Sequence, residues 1–266
     1  MSETVASFGR PSFSLALLEA GRALSELSLL PVAEVPLKAA PSGDGHPVIV
    51  CPGFLTSDRA TSFLRRFISS KGYETFGWEL GRNFGPGSTG GNFELLADKV
   101  HTAYQRSGRK VSLVGWSLGG VMARELAKQF PDQIRQVITL GSPLSGKVEA
   151  STISWLYNQV AGQVAMPTYM QDIMERLSEP PADVPSTSIF TKTDGIVHWR
   201  GCIEPKRKTT DNIEVYASHC GLGVNPIVYF AIADRLALPE NEWSPFDRKA
   251  SMWRRAAFPS SGHEYH

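Results

Sequence analysis

The chain has 266 residues, which is ample for a core without disulfide or metal staples. Apolar residues make up 42% and charged residues 20%, and the formal net charge is +1. This ordinary globular balance excludes a whole-molecule field that would draw the protein to nucleic acid or to an acidic lipid surface. The one basic stretch, "DRKASMWRR" at 247–255, reads as a solvated tail with Trp253 packed down. Three cysteines, an odd number, do not make a secreted disulfide framework. No run approaches the roughly 18 apolar residues of a membrane span. The N-terminus lacks a basic leader followed by an uninterrupted apolar stretch, since Arg10 and Pro11 come late and Glu19 soon follows. The expectation is therefore no signal peptide and a cytoplasmic protein.

Residues 12–30 have helical spacing, with Phe13, Leu17, Ala20, Leu24 and Leu27 on one face and Ala16 and Ala23 beside them. The stretch "PVAEVPLKAAPSGDGHP" is broken by Pro and Gly and reads as a connector. From residue 47 strands and helices alternate. "PVIVCPG" is a buried strand, "TSFLRRFISSKG" a helix closed by Gly72, and "YETFGWEL" a second strand. "GRNFGPGSTGG" is a loop, followed by a helix from Asn92 to about Ser107. "KVSLVGW" is the third strand, Leu118 to Phe130 a helix stopped by Pro131, and "IRQVITLGSP" the fourth strand. Residues 146–185 are helical and irregular. "STSIFTKTDG" and "NIEVYASHCG" are the fifth and sixth strands, and "PIVYFAIADRLAL" the last helix. This order predicts an α/β fold, a mostly parallel sheet of about six strands with helices on both faces. The divisions are an N-terminal helix and connector at 1–45, a core at 46–145 and 186–266, and a small helical cap at 146–185.

In open sheets of this kind chemistry gathers at the carboxyl ends of the strands, where Phe54, Ser117, Asp194 and His219 fall. Gly115-Trp116-Ser117-Leu118-Gly119 matches G-x-S-x-G between a strand and a helix. A side chain at residue 115 or 119 would collide with a neighbouring element, so the glycines make room for a strained serine. The plainer alternative is a glycine turn in which Ser117 only caps the helix. A serine nucleophile needs a base, and the base an orienting acid. Of six histidines, His219 lies in the small-residue loop "ASHCGLGVNP" just past a strand and is the candidate base. Asp194, at the Thr-Asp-Gly turn in "FTKTDGIVHW", is the candidate acid, with Asp211 in reserve at the wrong edge. The chain order Ser117, Asp194, His219 suits a nucleophile on such an elbow. The backbone N–H groups of Leu118 and of Phe54, after the Pro52-Gly53 turn, are the candidate oxyanion donors.

With "HPVIVCPGF", "GRNFGPG", "VSLVGWSLGG", "TLGSP", "KTDGIVHWR" and "SHCGLGVNP" in that order from 46 to about 226, the chain resembles the α/β-hydrolases, and among them bacterial esterase/lipase-like members. The resemblance implies a Ser-His-Asp acyl-transfer mechanism with no metal or cofactor. It implies a small-molecule ester with an apolar acyl group as substrate, with no nucleic-acid partner. The chain departs from the family's eight strands, since only six are found and a helix stands where the first two strands would be.

Residues 146–185 occupy the position of the family's cap. Trp155, Leu156, Val160 and Val164 form one apolar stripe, and Tyr169, Met170, Ile173, Met174 and Leu177 another. Core packing is one account of them. The other is a lid whose inner face, with Trp116, Trp155, Met166, Met170 and Met174, forms an adaptable acyl pocket. Gly85 to Gly90 formally matches G-x-G-x-x-G, but no acidic residue follows the next strand to hold a ribose. His198, Cys202, His219 and Cys220 are too irregularly spaced for zinc. A disulfide between Cys202 and Cys220 is disfavoured in the cytosol. The leading expectation is a serine hydrolase of carboxylic esters. An acyltransferase with the same triad differs only in its acceptor, and a non-catalytic binding protein on this scaffold would have lost triad members. Deletion of residues 150–178 is predicted to broaden or abolish substrate selectivity while Ser117 still reacts with a small organophosphonate. Loss of that labelling in a folded protein would count against a separable lid.

Overall fold

The computed structural model describes residues 11–90, 93–145 and 179–264. The six strands are β1 (Pro47–Cys51), β2 (Glu74–Gly77), β3 (Val111–Trp116), β4 (Ile134–Leu140), β5 (Ser186–Phe190) and β6 (Thr210–Glu214). They form one sheet in the order β2-β1-β3-β4-β5-β6, and every pairing is parallel. Among the described residues the helices are α1 (Phe13–Ser28), α2 (Leu30–Lys38), α3 (Ser62–Ser70), α4 (Glu94–Ser107), α5 (Leu118–Gln129), α6 (Pro226–Leu236) and α7 (Met252–Ala257). The chain leaves β1 for β2 on one side and returns past β1 to β3. The crevice at the carboxyl ends of β1 and β3 is therefore the switch point where such sheets place their chemistry.

The sheet is buried on both faces, as a parallel sheet must be. Successive residues of β1 alternate between two apolar layers. Val48 and Val50 join Val114, Ile138, Ile189 and Ile213 against α2, α3 and α6. Ile49 and Cys51 join Leu113 and Val137 against α4 and α5. Arg124 of α5 reaches past the apolar layer to a fully buried Glu204, with Nε–Oε1 and Nη2–Oε2 at 2.9 and 2.7 Å. Losing either partner would leave an uncompensated charge in the interior.

One expectation for the N-terminal segment is corrected. Residues 30–38 are helical rather than a connector. Pro31 stands in the first turn, where no intrahelical N–H is needed, and Leu30 and Leu37 pack on the core, which offsets the one bond lost at Pro36. Lys71 caps the helix end by donating from Nζ to the carbonyls of Lys38 (3.0 Å) and Ala40 (2.8 Å). In α1 the apolar stripe faces outward. Phe13, Leu17 and Leu24 are 80%, 72% and 67% exposed, while the buried residues of the helix are Glu19 and Glu26. The helix lies against the Cys220–Gly223 turn at the carboxyl end of the sheet, not at the sheet's first edge.

At the opposite end, a polar cluster around the buried His46 ties β1 to β3. Asp44 Oδ1 accepts from His46 Nδ1–H at 2.5 Å, and Ser112 Oγ–H donates to His46 Nε2 at 2.7 Å. Arg135 Nη1 donates to Asp44 Oδ2 at 2.8 Å. Burial pushes the His46 pKa from 6.5 down to about 4, against the pull of Asp44. For Asp44, burial acts upward, but the hydrogen bonds from His46 and Arg135 outweigh it and hold the carboxyl well below its usual range. The unfolded chain thus binds a proton at His46 that the folded one refuses. The resulting stability is fully present above pH 6.5 and is lost as the pH falls toward about 4. Wild type is expected to lose about 2–3 kcal/mol more than His46→Gln between pH 7.5 and 4.5, read from urea midpoints. Equal losses would mean that His46 does not titrate in this window.

Candidate active site

Ser117 links β3 to α5 with φ 53° and ψ −123°, a backbone conformation that non-glycine residues rarely adopt. Three close approaches hold it there. A β-carbon on Gly115 would lie 2.3 Å from Gly120 Cα. One on Gly119 would lie 2.5 Å from the carbonyl oxygens of both Cys51 and Pro52, and one on Gly120 would lie 2.1 Å from Ser142 Oγ. The helix can therefore start hard against β3 and β1 only because these side chains are missing, as expected for residues 115 and 119. Ser117 N–H is spent on Leu140 O at 2.8 Å, and the hydroxyl makes no capping bond to α5. A simple helix cap is thus not the role of this side chain. The first turn of α5 begins at Leu118, whose N–H is the first of the turn's donors without an intrahelical partner.

The loop after β1 passes directly over this turn. A β-carbon on Gly53 would sit 3.5 Å from Ser117 Cβ. Phe54 follows, where the second oxyanion donor is expected. Asn83, wholly buried, pins the loop. Its Nδ2 donates to Pro52 O at 2.8 Å, and its backbone accepts from Leu55 N–H at 2.6 Å and donates to Thr56 O at 2.8 Å. Its Oδ1 accepts from Gly85 N–H at 2.9 Å. The motif "GRNFGPG" is thereby given a task that the sequence did not disclose.

Asp194 follows β5 and His219 follows β6, and the two meet. His219 Nδ1–H donates to Asp194 Oδ2 at 2.7 Å, and Asp194 Oδ1 accepts from the N–H groups of Ile196 and Val197 at 2.8 and 2.7 Å. With Nδ1 protonated, Nε2 is left with its lone pair. Gly141, the first residue after β4, makes room for the pair. A β-carbon there would lie 3.1 Å from His219 Nδ1 and 3.2 Å from Asp194 Oδ2. Burial of the imidazole acts to lower its pKa, but the Asp194 charge and hydrogen bond, with the charge of Glu19, outweigh it, and the net direction is upward. Trp116, expected in the substrate pocket, donates its indole N–H to His219 O at 3.1 Å. It braces the histidine loop against the serine turn.

The competing residues lie elsewhere. Asp211 accepts from the N–H groups of Asn212, Phe246 and Gly262 and serves the opposite end of β6. His198 Nδ1 accepts from Arg200 N–H in a 3₁₀ turn. Cys51, Cys202 and Cys220 are free, and burial first, with nearby carboxylates second, pushes the Cys220 thiol up to about 12, so it is no competing nucleophile. Among the described residues no group of three or more His, Cys, Asp or Glu could hold a metal ion. No described helix is long and apolar enough to cross a membrane. Trp155, Met166, Met170 and Met174 lie outside the described residues, as does nearly all of the expected cap.

The sequence also left α1 without a role in the site. Glu19 accepts from Gly195, His219 and Cys220 N–H, and Glu26 from Ser218 N–H and Asn225 Nδ2. Arg22 donates to Thr193 O and Ala217 O. A signal existed. The only charged residues of α1 are Glu19, Arg22 and Glu26, at i, i+3 and i+7 on one stripe.

A parallel sheet crossed at its switch point by a strained serine turn, with a buried histidine–aspartate pair on the following strand ends, marks a hydrolase-type α/β fold. Residues 46–184 match the family model for the alpha/beta hydrolase fold, and the chain belongs to that family. Solved structures carry the same architecture. Aspergillus fumigatus lipase B superposes with a TM-score of 0.58 at 18% identity, over 77% of this chain and 56% of that one. The chain thus spans little more than half the length of the fungal protein. Mature lipase BlEst2 of Bacillus licheniformis gives 0.55 at 16% identity, over 75% and 95%. The monoacylglycerol lipase of Paleococcus ferrophilus gives 0.53 at 16%, over 74% and 96%. At such identities the likeness is one of fold.

The glycine contacts predict opposite signs for one kind of substitution. Gly119→Ala is expected to cost about 1–3 kcal/mol, since its new methyl meets backbone oxygens that cannot swing away. Gly21→Ala, in the interior of α1 with no atom within 4 Å of the new methyl, is expected to gain about 0.5–1 kcal/mol. Denaturant midpoints of the two variants check both signs.

Proposed function

We propose that the protein is a serine hydrolase that cleaves carboxylic esters through an acyl-enzyme. The observation that most supports this is the buried His219–Asp194 contact, formed at the strand ends beside a serine held at positive φ with no capping duty. Phe54 and Leu118 supply the oxyanion donors in this reading, which calls for no metal or cofactor.

His219 Nε2 takes the proton of Ser117 Oγ as Oγ bonds to the acyl carbon. The carbonyl electrons move onto oxygen, where two backbone N–H groups stabilise them. Asp194 stays ionised, fixes the tautomer of His219 and offsets the charge that the imidazolium gains. Collapse breaks the ester C–O bond, and the leaving alkoxide takes the proton from His219 Nε2. Water then gives a proton to the same nitrogen and attacks the acyl-enzyme, which releases the acid and restores Ser117. An apolar acyl group is the expected payload in this reading.

A panel of p-nitrophenyl esters from short to long acyl chains tests this on wild type and Ser117→Ala. Turnover by wild type, a loss of about 10³-fold or more in Ser117→Ala, and fluorophosphonate labelling confined to Ser117 are expected. Turnover retained by the alanine variant would remove the nucleophile assignment.

A further inference from the structure

One carboxylate from the far end of the sequence reaches both loops of the candidate triad. Glu19 is 4% exposed. Its Oε1 accepts from Gly195 N–H at 2.8 Å, the residue after the acid, and from His219 N–H at 3.1 Å, the backbone of the base itself. Its Oε2 accepts from Cys220 N–H at 2.8 Å. Three backbone donors on two loops thus converge on one buried anion, which no apolar packing requirement explains. Burial of a carboxylate is costly unless it is well hydrogen-bonded, and these donors supply that at the backbone of the triad.

We propose that Glu19 is a positioning residue of the active site, a buried anion that locks the Asp194 and His219 loops in register and favours the charged imidazolium that forms during catalysis. This rests on the Ser-His-Asp reading above. Asp194 holds the ring edge of His219, and Glu19 holds its main chain. When His219 takes the serine proton, Asp194 meets the new positive charge at the ring and Glu19 acts on it from the backbone of the same residue, in a buried setting where screening is weak. Among the described residues, the other ionisable groups on the elements that meet at this histidine include Arg22 and Glu26 on α1 and the Cys220 thiol in its own loop. Arg22 Nη1 lies 3.9 Å from Glu19 Oε1, and Glu26 bonds Ser218 and Asn225 rather than the triad residues. The net upward direction of the His219 pKa includes Glu19 among its causes, after Asp194.

The sign follows. Without the Glu19 charge, the imidazole loses its proton at lower pH, so the acid limb of the kcat/KM profile moves down while the plateau falls. Glu19→Gln is expected to lower kcat about tenfold with KM within about twofold, and to move the acid limb down by about half a pH unit. NMR titration of His219 in the Ser117→Ala background should show the same shift without turnover. Glu26→Gln removes an equal charge from the same helix and should leave the limb in place. Should Glu19→Gln fail to fold, Glu19→Asp serves, with reduced kcat and a limb close to that of wild type. An unmoved limb with kcat retained in Glu19→Gln overturns the proposal, as does an equal shift in Glu26→Gln. Unchanged kcat in Glu19→Asp does so where that variant stands in. Wild type without esterase activity or Ser117 labelling overturns the underlying reading instead.

Discussion

Everything at the carboxyl end of this sheet depends on how closely α5 approaches β3 and β1. The turn between them leaves no space for side chains at Gly115, Gly119 and Gly120, and it forces Ser117 into a conformation that costs of order 1–3 kcal/mol. A surface loop could not sustain that strain. Here it is carried by two apolar layers that clamp β1 and β3 from both sides and by the buried Arg124–Glu204 pair that fastens α5 from behind. The same closeness brings the loop after β1 onto the serine, where Asn83 fixes it.

Two sets of serine, histidine and aspartate occur in this molecule, an aspartate bonded to Nδ1 of the histidine in each, and position separates them. Ser112 is the second residue of β3 with its hydroxyl committed to His46, and both are buried at the sheet's amino end while Asp44 stays partly exposed. Ser117 stands at a strand end, its backbone twisted so that its hydroxyl caps nothing. The first grouping joins β1 to β3, and its low imidazole pKa fits a neutral structural link. The second carries an upward shift on its histidine, the direction suited to a base that must hold a proton for part of a cycle.

Much of this was legible in the residues. Alternation of β-rich and helical runs sufficed for six parallel strands, and the elbow with its downstream Asp194 and His219 marked the strand ends to examine. The two last strands were read too long, through "TKTDG" and "YASHCG", because Lys192, Val215 and Tyr216 do not signal locally where the sheet stops. Strand β5 ends at Phe190 and β6 at Glu214, and the residues beyond are those that meet. The first helix was recognised as a helix, yet periodicity tells that two faces differ, not which one turns inward. Its charged stripe is the inner one because backbone donors of two loops await it there, some 170 to 200 residues further on. Asn83 was hidden for a similar reason, since its partners Pro52, Leu55 and Thr56 lie on a different loop.

That long separation has a kinetic side. The staple between α1 and the loops around residues 195 and 220 spans 176 to 201 residues of chain, whereas the sheet grows by joining near neighbours. Closing a loop of that length is entropically slow and gains nothing until both ends are ordered. The bonds that Glu19 makes to the loops of the candidate site can therefore form only once the first helix and the chain beyond the last strand have been brought together.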